Sequence, residues 1–357
     1  MTSAVLHTPF CDLVGVRYPI VQTGMGYVAG PKLASATCNA GALGVLASAT
    51  MTYDEVVAAI AKIKTTTNEP FAVNLRADAP DAPQRCDLLV AEQVKVASFA
   101  QAPRQDLIDR LHAGGVLVMP SIGAKRHAEK VLDWGVDAVL VQGGEGGGHT
   151  GAVPTSLLLP QVVDVVAGRV PVIAAGGYFD GRGLVAALAY GASGIAMGTR
   201  FLLTSDSSVP DAVKQLYLQS PVTGTVVTTK VDGVPHRVLR TPFVERLEAA
   251  SAITSLPRAI VNASRFRKIG GLSWSSMVRE GLAMRKTQEL SWAQVLQAAN
   301  TPILLRAALV DGNLQAGVMA SGQVVGLIED LPSAKELVER IMTEAEDTLA
   351  RLGGSDA

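Results

Sequence analysis

The stretch AVLVQGGEGGGHTG, residues 138–151, joins two unlike halves. The first is an uninterrupted apolar run, which reads as a strand covered on both faces. The second holds six glycines, one acid, Glu145, and one imidazole, His149. A buried strand that stops in this much backbone freedom, then presents a lone histidine, marks a place where a fold keeps a site at its strand ends.

Seven more runs of the same make surround it: YPIVQTGMG (18–26), ALGVLASA (42–49), FAVNLRA (71–77), VKVASFA (94–100), VLVMPSIG (116–123), VPVIAAGG (170–177) and GIAMGTRF (194–201). None alternates apolar with polar. Helical patterns lie between most of them. The helix at 52–67 opens with Thr52 and Glu55 at capping-box spacing. Those at 104–115, 125–135 and 181–191 each stop at a glycine. Strand then helix, repeated through eight strands, predicts an α/β fold of the (β/α)8 TIM-barrel type. A doubly wound sheet is the rival, but no GxGxxG follows the first strand. After Phe201 the rhythm breaks. Residues 205–300 mix helix and loop signals, while the helix at 333–352 opens with a capping box of Ser333 and Glu336. The expected organisation is a barrel of residues 10–204 and 301–352, with 205–300 inserted after the eighth strand as a mostly helical, substrate-binding lid.

Composition narrows the partners. Hydrophobic residues make up 48% of the 357 and the net charge is −1, so neither nucleic acid nor an anionic membrane is an expected partner. Three cysteines with no CxxC pair argue against a disulfide framework or a thiolate zinc site and favour the cytoplasm. The N-terminal residues lack the pattern of a signal peptide. The most apolar window, 184–203, contains Arg200 and splits into a helix and a strand.

In a barrel the site lies at the C-terminal strand ends. Here those ends carry small and polar residues: Gly24, Met25, Gly26, Asn74, Ser98, Ser121, Gln142 to His149, Ala175 to Gly177, Gly198 and Thr199. The glycine turns after the seventh and eighth strands sit where such barrels often bind phosphate, although each alone also reads as a simple turn. His149 is the candidate acid/base, since an imidazole as a side-chain type can give and take protons near neutrality. Glu145 is a candidate for orienting the loop. His112 and His127 fall on predicted helices and read as structural. With no HExxH and no clustered His/Asp set, no metal is expected.

Together VQTGMG, FAVNLRA, QGGEGGGHTG, AAGGYFDGRG, GASGIAMGTRF and ASGQVVGLIEDLP resemble the nitronate monooxygenase family, formerly 2-nitropropane dioxygenases, over residues 10–340. The FMN-dependent enoyl-acyl-carrier-protein reductases share the pattern. The resemblance implies FMN. By it, Gly24, Met25, Asn74, Gln142, Gly147, Gly148 and Ala175 bind the flavin, and Gly176, Gly177, Gly198 and Thr199 form the phosphate site. Gly322 and Gln323 close over the ring, and His149 is the catalytic histidine. Gly146 departs from the family's usual alanine. The insertion, NASRFRKIGGLSWSSMVREGLAMRKTQELSWAQVLQAANTPILL, is similar to an actinobacterial branch linked to degradation of steroid rings C and D as CoA thioesters. Its Arg265, Arg267, Lys268, Arg279, Arg285 and Lys286 suit CoA phosphates, or else form a solvated helix face. The expected activity is NAD(H)-linked oxidation or reduction of a CoA thioester. Nitronate oxidation by O2 and an enoyl reductase-like reaction are the alternatives. The substrate, the direction and a possible homo-oligomer stay open.

Overall fold

The structure, a computed structural model, describes residues 4–249, 301–315 and 317–353. Eight parallel strands close into a barrel: β1 (Ile20–Gln22), β2 (Leu43–Ala47), β3 (Phe71–Leu75), β4 (Val96–Phe99), β5 (Leu117–Ile122), β6 (Val139–Gln142), β8 (Val172–Ala175) and β9 (Gly194–Met197). The short β7 (Gly148–His149) stands outside it. Closure runs through β1 and β9, with Ile20 opposite Ile195 and Gln22 opposite Met197. All eight apolar runs of the sequence therefore become barrel strands.

Their unbroken hydrophobicity has a physical cause. One set of side chains, including Val21, Val45, Ala72, Val96, Met119, Leu140, Ile173 and Ala196, fills the barrel interior. The other set packs outward against helices. Helix α1 (Pro9–Val14) pushes Phe10 and Val14 into the interior cluster beside Leu43 and Val96, the first residues of their strands, and so plugs the N-terminal end. Only the C-terminal end is left open.

The outer ring is α2 (Pro31–Asn39), α3 (Tyr53–Lys64), α4 (Ala82–Ala91), α5 (Gln105–Ala113), α6 (Lys125–Asp133), α7 (Thr155–Val166) and α8 (Gly181–Ala189). The capping box of α3 forms as the spacing predicts: Thr52 Oγ1 accepts from Glu55 N, and the Glu55 carboxylate accepts from Thr52 N. After β9 come the short α9 (Thr199–Leu202), α10 (Asp211–Leu218), β10 (Thr225–Thr228), β11 (His236–Leu239) and α11 (Pro242–Ala249). Helix α12 (Thr301–Leu309) and the long α13 (Ala334–Leu352) complete the described chain. Helix α13, capped by Ser333 and Glu336, buries Leu337, Val338, Ile341 and Ala345 and packs on α8 and α2. Each such side chain removed from water contributes roughly 1.5–3 kcal/mol before conformational entropy is charged.

The sequence pattern suggests a mostly helical insertion with loops. The part described instead contains a β-hairpin. β10 and β11 pair antiparallel, and β11 pairs on its other side with β7, His236 opposite His149. Residues grouped with the barrel by the sequence join this unit: Leu304 and Val318 form a small separate core with Val231, Val238 and Val244. The basic residues Arg265, Arg267, Lys268, Arg279, Arg285 and Lys286 lie outside the described residues. Among the described residues no helix is long and apolar enough to cross a membrane.

Candidate active site

A cavity of about 560 Å³ opens at the C-terminal end of the barrel. Its floor is the uppermost layer of inward side chains: Asn74, Ser98, Ser121, Leu140, Gln142, Ala175 and Ala196. Gly24, Met25, Gly147, Gly148, Gly176, Gly177, Gly198, Thr199 and Gly322 form the rim, and Pro302, Leu305 and Leu309 add an apolar wall from α12. The sequence-derived positions thus meet in one place. Gln323 is the exception. Its side chain does not line the cavity, and its backbone N–H donates instead to Glu145 O at 2.9 Å. His112 and His127 stay on α5 and α6, away from the cavity.

The glycine-rich loop after β6 is held in place at several points. The Glu145 carboxylate accepts from Thr155 N and Thr155 Oγ1, satisfying donors at the start of α7 that Pro154 gives no side chain to cap. Gln142 Nε2 donates to His149 O at 2.8 Å. Arg237, on β11, donates from Nε and Nη2 to Gly144 O at 3.1 and 2.8 Å. The glycines are needed for close approach. A Cβ on Gly147 would lie 2.5 Å from Gly322 N, and Gly148 has φ +74°. An alanine at the departing position 146 would put its Cβ 2.6 Å from Gln142 Nε2, so Gly146 makes room for the Gln142 bond to His149.

The glycine turn after β8 leaves its backbone exposed to the cavity. Gly176 and Gly177 take φ of +99° and +85°, and no atom lies within 3.8 Å of where a Gly177 Cβ would sit. Bare backbone faces open space there, as an anion cradle requires. Thr199 Oγ1 accepts from Gly322 N at 2.8 Å, tying the 321–323 segment across the rim. The residues present therefore fit a flavin mononucleotide, with a flat cavity wall on the β6 side and a cradle after β8 and β9.

Two residues of the site escape sequence reading. Asp232 and His236 flank the turn between β10 and β11 and line the same cavity. Asp232 Oδ2 lies 2.6 Å from His149 Nε2 and 3.6 Å from His236 Nδ1. The two imidazole centroids are 4.7 Å apart. The sequence shows no clustered His/Asp set, and this is corrected by the fold: β7–β11 pairing joins residues 83 positions apart. Burial acts to raise the Asp232 carboxyl, but the hydrogen bond from His149, with the polar ring of His236 nearby, outweighs it and holds the group well below the carboxylate range. Burial pushes His236 down against the raising effect of Asp232, so it stays neutral. Both His236 nitrogens are buried with no hydrogen-bond partner, a condition that costs about 1–3 kcal/mol for a donor. These three residues bring enough donor atoms together to suggest a metal. The 2.6 Å contact argues otherwise, since two ligands at 2.0–2.2 Å around one ion sit roughly 3 Å or more apart. It is the length of a charge-assisted hydrogen bond.

The profile of the nitronate monooxygenase family matches residues 7–86 and 81–344. The chain belongs to the nitronate monooxygenase family. Within and around that family it is 63% identical over 341 residues to the (3aS,4S,5R,7aS)-5-hydroxy-7a-methyl-1-oxo-octahydro-1H-indene-4-carboxyl-CoA dehydrogenase of Mycobacterium tuberculosis, covering 95% of this chain and 96% of that one. The Rhodococcus jostii protein of the same name is 59% identical over 350 residues, covering 98% and 99%. Among solved structures, FabK from Thermotoga maritima superposes with a TM-score of 0.79 at 32% identity, covering 98% of this chain and 99% of that one. Membership of the nitronate monooxygenase family makes this chain an oxidoreductase, and it implies the flavin that the cavity fits.

Proposed function

We propose that the chain is an FMN-dependent, NAD(H)-linked dehydrogenase acting on a carbonyl-activated bond of a CoA thioester in steroid ring C/D catabolism, with His149 as its acid/base. The near full-length identity of 63% to a protein named as a carboxyl-CoA dehydrogenase carries the reading. The site supports it. Backbone N–H groups around Gly176, Gly177 and Gly198, with the Thr199 hydroxyl, would hold the FMN phosphate. Gly24, Met25, Asn74, Gln142, Gly147, Gly148 and Ala175 would wall the ring, with Gly322 closing over it. When bound, FMN supplies the two-electron hydride acceptor, which NAD(H) then resets.

The remaining chemistry belongs to the protein. In the oxidising direction His149 removes the proton α to the thioester carbonyl. In the reducing direction it returns a proton to the same carbon. The apolar wall of Pro302, Leu305 and Leu309, with Val234 opposite the rim, excludes water from the acyl body and suits a fused-ring skeleton. The basic residues from Arg265 to Lys286 would meet the CoA phosphates.

The test is stopped-flow flavin reduction by NADH, by indene-carboxyl-CoA thioesters and by nitronates in parallel. A flavin-loaded protein that answers to the thioester, and that loses about 10²–10⁴-fold in turnover as His149→Ala, supports the proposal. Rapid O2 consumption with propionate-3-nitronate and silence toward CoA thioesters would replace it with nitronate oxidation.

A further inference from the structure

We propose that Asp232 is a positioning residue that fixes the tautomer of His149, so that Nδ1 is the ring nitrogen that exchanges the substrate proton, with His236 buttressing the carboxylate. This rests on the reading of His149 as the acid/base. A carboxylate can only accept, so the 2.6 Å contact places a hydrogen on His149 Nε2. In a neutral imidazole the other nitrogen then carries the lone pair. A base that takes a proton on that nitrogen becomes an imidazolium whose charge faces a carboxylate already in contact. Asp232 does not take the proton. It orients the ring and stabilises the cation, the division of labour familiar from buried carboxylates behind catalytic histidines.

The placement suits that role. The Asp232 side chain is 5% exposed and the His149 side chain 59%, so a buried anchor stands behind an imidazole open to the cavity. Asp232 Oδ1 accepts from Val234 N at 3.1 Å, which fixes the carboxylate plane. Two imidazoles face Asp232, His149 from β7 and His236 from β11. His236 is enclosed, neutral and unpaired, with Nδ1 held 3.6 Å from the oxygen that His149 uses. A small rotation would turn it into a second donor to Asp232 without adding a second charge beside His149. The register of the small sheet puts both imidazoles on the same side: His149 and His236 are direct cross-strand partners.

The experiment is long-range 1H–15N correlation of the flavin-loaded protein labelled at its five histidines, with His149 assigned from its absence in H149N. The expected wild-type spectrum shows neutral His149 protonated at Nε2 and bare at Nδ1. In D232N that tautomer is lost as the dominant form, and thioester turnover falls by about 10²-fold or more. KM changes little by comparison, as fits an interaction strengthened in the transition state. H236F retains the wild-type His149 tautomer with a smaller loss of turnover. A wild-type His149 bare at Nε2, or an identical tautomer in D232N, overturns the proposal. If D232N fails to fold, the wild-type spectrum decides alone. An Nε2–H tautomer in a protein that turns over no CoA thioester supports the positioning role and overturns only the substrate reading.

Discussion

Replacing Gly147 with alanine tests the tightest contact of the rim. The added Cβ would lie 2.5 Å from Gly322 N and 2.6 Å from the carbonyl carbon of Ser321. Both are backbone atoms, so no side chain can swing aside. The segment they belong to is also tied down, by Gly322 N on Thr199 Oγ1 at 2.8 Å and by Gln323 N on Glu145 O at 2.9 Å. Overpacking of this kind costs about 1–3 kcal/mol, and each hydrogen bond loosened adds about 0.5–1.5 kcal/mol. With both bonds loosened the expected loss is therefore about 2–6 kcal/mol, divided between fold stability and cofactor binding. Every 1.4 kcal/mol that falls on binding weakens Kd about tenfold. Gly151→Ala is the control in the same loop, because the nearest atom to its Cβ is Gly123 O at 3.7 Å and its φ is ordinary. That change should stay within about 0.5 kcal/mol. Urea unfolding followed by circular dichroism, with an FMN titration by fluorescence, reads both variants. Equal behaviour of G147A and G151A would show that the 321–323 segment does not press on the loop, and the close-approach argument would fall.

Arg237→Ala removes the clamp on Gly144 O; with about 1.5–3 kcal/mol at stake in hydrogen bonds to a charged donor, turnover should drop tenfold or more. Steady-state kinetics checks this, and unchanged turnover would show that the loop holds its shape without the guanidinium. Asp330→Asn swaps the carboxylate facing the buried Arg200 for a neutral amide oxygen that can still accept, beside the carbonyls of Leu203 and residue 330, and should destabilise by about 1–2 kcal/mol, less than loss of a fully buried pair because Asp330 is half-exposed. The Arg340 hydrogen bond, opposed by burial and joined by Arg200, holds the Asp330 carboxyl below its ordinary value. Its contribution is therefore complete above the unfolded value near 3.9 and is lost as pH falls through the lower folded one. The gap between wild type and D330N in urea melts should stay constant above about pH 5 and close only below about pH 4. Burial pushes the Cys38 and Cys86 thiols up to about 12 and raises Cys11 as well. Ellman's reagent should find no fast thiol in the native protein and three after unfolding.

The barrel is legible in the sequence because burial on both faces writes itself as unbroken apolar runs. Val172 to Ala175 and Gly194 to Met197 are buried throughout, and the sequence has no polar residue there to contradict a strand. The capping boxes at Thr52 and Ser333 are local and equally readable. The place of His149 at the cavity is readable too, since its glycine loop leaves the end of β6. Asp232 and His236 are not. Their roles depend on which strand β11 pairs with, a long-range fact that local periodicity does not encode. β10 conceals itself further, with Thr225 and Thr228 buried at its ends and Val227 facing solvent. One local signal was available: Asp232-Gly233, with Gly233 at φ +88°, marks a chain reversal within the 229–235 connection of the hairpin.

The ladder of β7, β11 and β10 has a bearing on how such a protein can be altered. Barrels ordinarily exchange rim loops one at a time, because each loop leaves and returns to its own strand and helix. Here one rim loop shares backbone hydrogen bonds with an arm grafted far downstream, and the shared residue pair is His149 and His236. A chimaera that took only the arm from a relative would strip the imidazole of its neighbour. The portable unit is the loop and the hairpin together, because the ladder that joins them belongs to both.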